Sequence, residues 1–184
     1  MKRLKTKASQ TVALILFSTV FWSANAYGVT PEQIFVWVSR QMEIEYVYNV
    51  PAIQYISKNK LQNIFQEVNQ ESFRHWRMEY GQAKADSIMA TYQNRLVGLF
   101  NPETQTIYVG NFLLPCRQNA VLVHEMTHFF QHWIYGSIQN GSFSAEDQHI
   151  FREIQAYQMQ ARFTALFCKS TVRSELILAF IYYP

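Results

Sequence analysis

The chain has 184 residues, of which 49% are hydrophobic and 16% are charged, and it carries a formal net charge of +3 at pH 7. Four of the sixteen Lys and Arg residues fall within the first seven positions, so the rest of the chain has a formal charge of −1. The basic balance gives no indication of a nucleic-acid partner, and we expect none. The length suits one domain with a sizeable core, and the sequence shows neither an internal repeat nor a low-complexity linker.

The N-terminus is typical of a secretory signal peptide. Basic residues at positions 2–7 precede an apolar stretch over about residues 12–22 and then Ala24-Asn25-Ala26, a small-x-small cleavage pattern. The apolar stretch is about half as long as the roughly 20 residues of a spanning helix, which leaves an uncleaved anchor as the alternative. We predict that residues 1–26 are removed and that residues 27–184 form one periplasmic or secreted domain without a stable membrane anchor.

The mature chain is predicted to begin with a helix, a strand and a second helix. Apolar residues recur at intervals of three and four over residues 31–42, which predicts an amphipathic helix with Thr30 as its N-cap. Residues 46–56 are rich in β-branched and aromatic side chains and have Pro51 in their middle, so we predict an edge strand or two short strands. Mostly helical intervals over residues 60–80 predict a helix of undetermined extent.

A hairpin and two long helices are predicted to follow. Residues 95–100 and 106–110 are strand-like runs, and the segment between them begins with Asn101-Pro102, which favours a turn. Residues 117–135 have wide apolar coverage, which predicts a helix in the centre of the domain. A capping-box pattern opens a further helix over about residues 144–167.

The predicted fold class is α+β. A short antiparallel sheet or hairpin would pack on the central helix and on the helix that follows it. The apolar run at residues 176–183 is far too short to span a bilayer, so we assign it to the core.

The segment that carries chemistry is His124-Glu125-Met126-Thr127-His128, within the predicted central helix. Residues four apart lie on one face of a helix, so both imidazoles can bind the same tetrahedral zinc ion. Glu125 lies beside them, where its carboxylate could take a proton from a zinc-activated water and pass it to the leaving amine. The alternative is that both histidines are structural residues.

A catalytic zinc ion needs a third protein ligand. Ile134 stands where the His-Glu-x-x-His-x-x-Gly-x-x-His pattern has its last histidine, so the ligand must come from elsewhere. The candidates in the next helix are Glu146, Asp147, His149 and Glu153. Helix rise places Glu153 level with His128 in an antiparallel helix pair, because the path out to the helix end is about 10 Å and the path back is about 13 Å. His149, one turn earlier, is an alternative ligand or a polarising donor.

Two residues one turn beyond Glu153 support this assignment. Ala156 is small enough to let the two helices approach closely, and Tyr157 could donate a hydrogen bond to a ligand.

The two cysteines, Cys116 and Cys168, are expected to form a disulfide in an oxidising compartment. Both fall near the end of the helix pair opposite its connecting loop, so the bridge would close a loop that contains all the proposed ligands. The alternative is two separate buried thiols.

These residues resemble the gluzincins, zinc metallopeptidases with His-Glu-x-x-His on one helix and a Glu ligand on a following helix. The matching pieces are residues 124–128 and Glu153-Ile154-Gln155-Ala156-Tyr157. Together with His128-Phe129-Phe130-Gln131 and a short signal-bearing chain, they are most similar to small exported gluzincin-like domains of unassigned function. The resemblance covers about residues 92–168. It implies a zincin-like fold in which residues 106–110 form the strand that borders the cleft and pairs with an extended peptide. Tyr157 departs from larger gluzincins, which often have an acidic residue there.

We therefore expect a zinc-dependent metallohydrolase, most simply a peptidase acting on a peptide, protein or cell-envelope substrate. Zn²⁺ would be held by His124, His128 and Glu153, with Glu125 as general base. One alternative is a non-catalytic exported domain that binds zinc or nothing, and another is hydrolysis of a non-peptide amide or ester. Three residues stay open as donors to the transition state: Tyr135, His132 and His149.

Overall fold

The structure, a computed structural model, describes residues 28–44, 49–135 and 145–168. The predicted signal peptide and the C-terminal apolar run lie outside these ranges. No helix within them is long and apolar enough to cross a membrane.

The described residues form an α+β fold, which confirms the predicted fold class. The elements in chain order are α1 (Pro31–Gln41), β1 (Ala52–Ile56), α2 (Lys58–Val68), α3 (Gln70–Tyr80), α4 (Gln82–Arg95), β2 (Gly98–Asn101), β3 (Thr106–Gly110), α5 (Pro115–Tyr135) and α6 (Ala145–Phe167).

The sheet has three strands in the order β1-β3-β2. β2 and β3 form the predicted antiparallel hairpin, whereas β1 pairs with β3 in parallel, so the sheet is mixed rather than antiparallel. The long connection through α2, α3 and α4 gives the chain the length that a parallel pairing requires. β1 is an edge strand, as predicted, but it begins only at Ala52, directly after Pro51.

The position of β3 corrects one expectation. Residues 106–110 were expected to border the cleft and to pair with an extended peptide, but this strand is central and is paired on both sides. On the hairpin side of the sheet, β2 is the edge strand among the described residues. The register was not accessible from the sequence, because the partner strand β1 lies about 50 residues away along the chain.

The turn of the hairpin is set by Asn101. Its side-chain Oδ1 accepts hydrogen bonds from the backbone N–H groups of Glu103 and Thr104, at 2.9 Å and 3.3 Å. Such an Asx turn is the reason why an Asn-Pro start favours chain reversal, and it confirms the predicted turn.

The segment predicted as one helix over residues 60–80 is two helices. The chain breaks at Asn69, whose side-chain Nδ2 donates to the carbonyl of Phe65 at 2.9 Å. This local hydrogen bond competes with helix continuation. α4 follows after Gly81, which has a φ of 80°, and this helix was not predicted because only Ala85 among its residues is buried. One aromatic cluster joins the three helices, formed by Phe65, Phe73, Trp76 and Tyr92.

α1 packs on α5 at the centre of the core. Thr30 caps α1 in a full capping box with Gln33, as its sequence predicts. Phe35 is 2% exposed, and its ring lies 4.9 Å from that of Phe130. With this side of α5 packed against α1, other faces of the helix remain for the sheet and for α6.

α5 and α6 make the most extensive contact between two elements. They run antiparallel, because Cys116 at the start of α5 is bonded to Cys168 just beyond the end of α6. Ala156 of α6 is fully buried in the core, as expected for a small residue where two helices approach. The helix pair is therefore antiparallel, as required for Glu153 to lie level with His128.

Candidate metal centre

α5 brings the two histidines of the motif together. His124 is buried and His128 is half-buried, and their Nε2 atoms lie 3.0 Å apart. Their four-residue spacing places both rings on one face of an uninterrupted helix.

α6 adds a carboxylate to this pair. Glu153 has Oε1 at 3.1 Å from His128 Nε2 and Oε2 at 3.5 Å from His124 Nε2. In the part of the chain that the structure describes, these three residues form a group whose ligand atoms lie within 4.8 Å of one another. His124, His128 and Glu153 are therefore positioned to hold a metal ion, as predicted.

The side-chain atoms of the group lie about as far apart as the ligand atoms of a tetrahedral ion. Metal–ligand bonds of about 2.0–2.2 Å at tetrahedral angles place two ligand atoms roughly 3.3–3.6 Å apart. The two Nε2 atoms are 3.0 Å apart, and each lies near a different oxygen of the Glu153 carboxylate, at 3.1 Å from His128 and 3.5 Å from His124. Two imidazoles and one carboxylate are also a donor set found in hydrolytic zinc sites.

The pKa values of Glu153 and His128 are shifted by their contacts with each other and with their neighbours. Burial alone would raise the pKa of Glu153, but hydrogen bonds from His124 and His128 outweigh it and hold this pKa well below its ordinary value. Burial would lower the pKa of His128, yet the hydrogen bond to Glu153 and the charges of Glu125 and Glu153 raise it. The ionised carboxylate of Glu153 thus stabilises positive charge beside it.

Glu125 lies beside the ligand group without belonging to it. It is 7% exposed, and the backbone N–H of Phe100 on β2 donates a hydrogen bond to its carboxylate. Burial raises the pKa of Glu125, while the nearby His124 and His128 oppose the rise. Glu125 is thus a buried carboxyl beside the ligand group that could act on a molecule bound there.

Gly98 lets β2 approach α5 at this carboxylate. A Cβ added at Gly98 would lie 2.7 Å from Glu125 Oε1 and would also overlap the side chain of Val121. A side chain at this position would therefore displace Glu125, so the absence of a Cβ is a requirement of the site.

Gln131 connects His128 to α6. Its Oε1 lies 2.8 Å from His128 Nδ1, and its Nε2 donates to the carbonyl of Arg152 at 2.9 Å. A hydrogen bond from the second ring nitrogen is the usual support of a metal-binding histidine.

The ring of His124 is supported differently. It packs against the ring of Tyr157 with centroids 4.6 Å apart, and its Nδ1 is buried without a hydrogen-bond partner among the described residues. Tyr157 was expected to donate a hydrogen bond to a ligand; the contact observed is between its ring and that of His124.

The other residues proposed from the sequence are not in the ligand group. His132 is half-buried, with its ring 5.9 Å from that of Phe100, and His149 is exposed. The side chains of Glu146, Asp147 and Tyr135 lie outside the described residues.

The predicted disulfide between Cys116 and Cys168 is present, with the Cα atoms 6.0 Å apart. It closes a segment that contains every residue of the ligand group, and it fits a protein that matures outside a reducing compartment.

Sequence reasoning missed Gln131 and Gly98 as site residues. Gln131 follows His128 by three positions, so helical spacing could have marked it as a neighbour of the ligand. Gly98 interrupts a strand-like run, which is a recognised sign of close backbone approach.

Comparison with known proteins identifies no relative. No protein-family model, no curated protein and no solved structure matches the chain. The functional conclusion therefore depends on the geometry of the site.

Proposed function

We propose that this chain is an exported zinc-dependent hydrolase of the gluzincin type that cleaves peptide bonds. The observation that carries the proposal is the triangle of ligand atoms from His124, His128 and Glu153, with Glu125 buried beside it. A zinc ion bound there supplies a Lewis acid that polarises a carbonyl and lowers the pKa of water towards about 7.

Glu125 is the group that would move the proton. Burial raises the pKa of this carboxyl, which suits a group that accepts a proton and then returns it. The hydrogen bond from the Phe100 N–H holds one carboxylate oxygen on the β2 side. The base is thereby oriented before substrate binds.

The free edge of β2 suits an extended peptide. The N–H of Gly110 donates to the carbonyl of Val97, so the residues of β2 that bond β3 alternate with Gly98 and Phe100, whose backbone groups face the other way. The N–H of Phe100 is already bonded to Glu125, so a peptide would pair with the remaining groups of this edge. β2 thus takes the role that was first expected of β3. A peptide lying along this edge would pass close to Glu125.

The location outside the cytoplasm is part of the same proposal. Its support is the signal-like N-terminus together with the Cys116–Cys168 disulfide.

The decisive experiment combines metal analysis and a cleavage screen on the purified oxidised protein. We expect one zinc ion per chain, and cleavage of members of a peptide or peptidoglycan library that stops on chelation and returns with added zinc. Zinc binding without cleavage of any library member would favour the non-catalytic metal-binding domain instead.

A further inference from the structure

Gln131 is 1% exposed, and its amide spans the space between α5 and α6. Oε1 is 2.8 Å from His128 Nδ1. Nε2 donates to the carbonyl oxygen of Arg152 and to Oε1 of Gln155, both at 2.9 Å. Both hydrogens of the amide nitrogen are thus in use, and the side chain is fully satisfied.

The α6 backbone fixes the orientation of this amide. The carbonyl of Arg152 can only accept, so Gln131 must direct Nε2 towards it and Oε1 towards His128. A flipped amide would place the Gln131 Oε1 against the carbonyl oxygen of Arg152, two acceptors facing each other in a buried position, which is unfavourable.

The orientation of Gln131 in turn fixes His128. Because Oε1 of Gln131 only accepts, Nδ1 of His128 must carry a hydrogen. The neutral ring then has its lone pair on Nε2, the atom that faces His124 and Glu153.

We propose that Gln131 is the positioning residue of this metal centre, holding His128 in the tautomer whose Nε2 can bind the ion. Its own orientation is set by the α6 carbonyl next to Glu153, so one amide couples a ligand on α5 to the helix that carries the third ligand. The inference rests on the metal centre of the proposed function, but not on the reaction catalysed there.

His124 provides an internal contrast. Its Nδ1 has no hydrogen-bond partner among the described residues, and packing against Tyr157 positions its ring. Tautomer selection therefore acts on one ligand of the pair, and loss of the Gln131 amide should affect His128 alone.

Three variants separate tautomer selection from simple helix packing. Gln131→Leu removes both the acceptor for His128 Nδ1 and the donor to α6, with a side chain of similar volume. Gln131→Glu keeps an acceptor for His128 Nδ1 but removes the donor to α6. Gln155→Leu is the matched control, since Arg152 still orients Gln131.

The readouts are the zinc dissociation constant, from chelator competition, and solvent protection of the His128 Nδ1–H in zinc-loaded, ¹⁵N-histidine-labelled protein. We expect Gln131→Leu to weaken zinc binding about 10–100-fold and to lose the protected hydrogen. Gln131→Glu and Gln155→Leu should keep that hydrogen and bind zinc more tightly than Gln131→Leu.

The proposal is overturned if Gln131→Leu binds zinc like wild type, or if Gln131→Glu loses the protected hydrogen and as much affinity as Gln131→Leu. The second result would mean that Gln131 acts only by holding α6. If Gln131→Leu does not fold, Gln131→Glu is compared with wild type. A protected His128 Nδ1–H in Gln131→Glu then supports the proposal, and its loss overturns it. A wild-type protein that binds zinc but cleaves no peptide contradicts the proposed reaction only, whereas one that binds no zinc contradicts both.

Discussion

Glu125 is the side chain on which turnover is expected to depend most directly. Glu125→Gln removes the base but leaves His124, His128 and Glu153 in place, and the amide can still accept from the Phe100 N–H. We expect zinc content like that of wild type and a loss of hydrolysis of at least about 100-fold. Substantial hydrolysis by the zinc-loaded variant would show that another group is the base.

Gly98 is predicted to matter for the position of Glu125 rather than for the metal. In Gly98→Ala the new methyl group would displace the Glu125 carboxylate and Val121. A displacement of about 1 Å can cost about 100-fold in rate, so we expect kcat to fall on that order while zinc affinity stays unchanged. Gly28→Ala is the matched control, because a Cβ there meets no atom within 4 Å. Equal kcat values for the two variants would contradict the close approach of β2.

Glu153 is the residue on which the proposed gluzincin assignment depends most. Glu153→Ala should lower zinc affinity steeply and abolish hydrolysis, because it removes the one carboxylate of the ligand group. His149→Ala is its control, since His149 is exposed and lies one turn away on the same helix. Isothermal titration of both variants with zinc measures the difference. Loss of zinc from His149→Ala and not from Glu153→Ala would reverse the assignment.

At the scale of elements, the helix pair α5 and α6 carries the ligand group, and the disulfide ties its two ends. Cys116→Ser combined with Cys168→Ser should lower the free energy of unfolding by about 2 to 4 kcal/mol, mainly because the unfolded chain is less restricted. Urea unfolding of the oxidised wild-type protein and of the variant, both freed of metal with a chelator, measures the difference. The variant should still bind zinc, since the ligands and their helices remain.

The elements also show how far the sequence was informative. His124 and His128 could be paired from helical periodicity alone, and Glu153 from helix rise, because both arguments use local geometry. The central place of β3 could not be predicted, since pairing with distant β1 leaves no local pattern. α4 was missed because it buries too little for its apolar residues to show a face. The role of Gln131 depends on α6 atoms 21 and 24 residues away.

At the scale of the whole molecule, the proposed zinc ion would compete with protons for the site. The pKa of His128 in the metal-free protein is raised by Glu153 and Glu125 against the effect of burial, so a proton occupies this ring at a higher pH than in a free histidine. The pKa of Glu153 is lowered, because hydrogen bonds and charge from the histidines outweigh burial, so this carboxyl remains ionised as His128 titrates. Zinc affinity should therefore be highest above the raised pKa of His128 and should fall as the pH drops through it. Competition titrations from about pH 5 to 8 test this, and an affinity that does not change over that range would contradict it.

The disulfide has a further consequence for how the molecule is divided. It turns the span from Cys116 to Cys168 into a covalent ring, and that ring contains the ligands and Gln131, whereas Phe100 and Gly98 lie outside it. Retention of the ion and orientation of the base therefore belong to two separate parts of the chain. A single cut in the turn between β2 and β3 would leave the disulfide-closed segment intact, together with any metal ion held by its ligand group. The same cut would remove the covalent link between β2 and β3, which positions the Phe100 N–H at Glu125. We therefore expect the nicked protein to lose the proposed hydrolysis before it loses zinc.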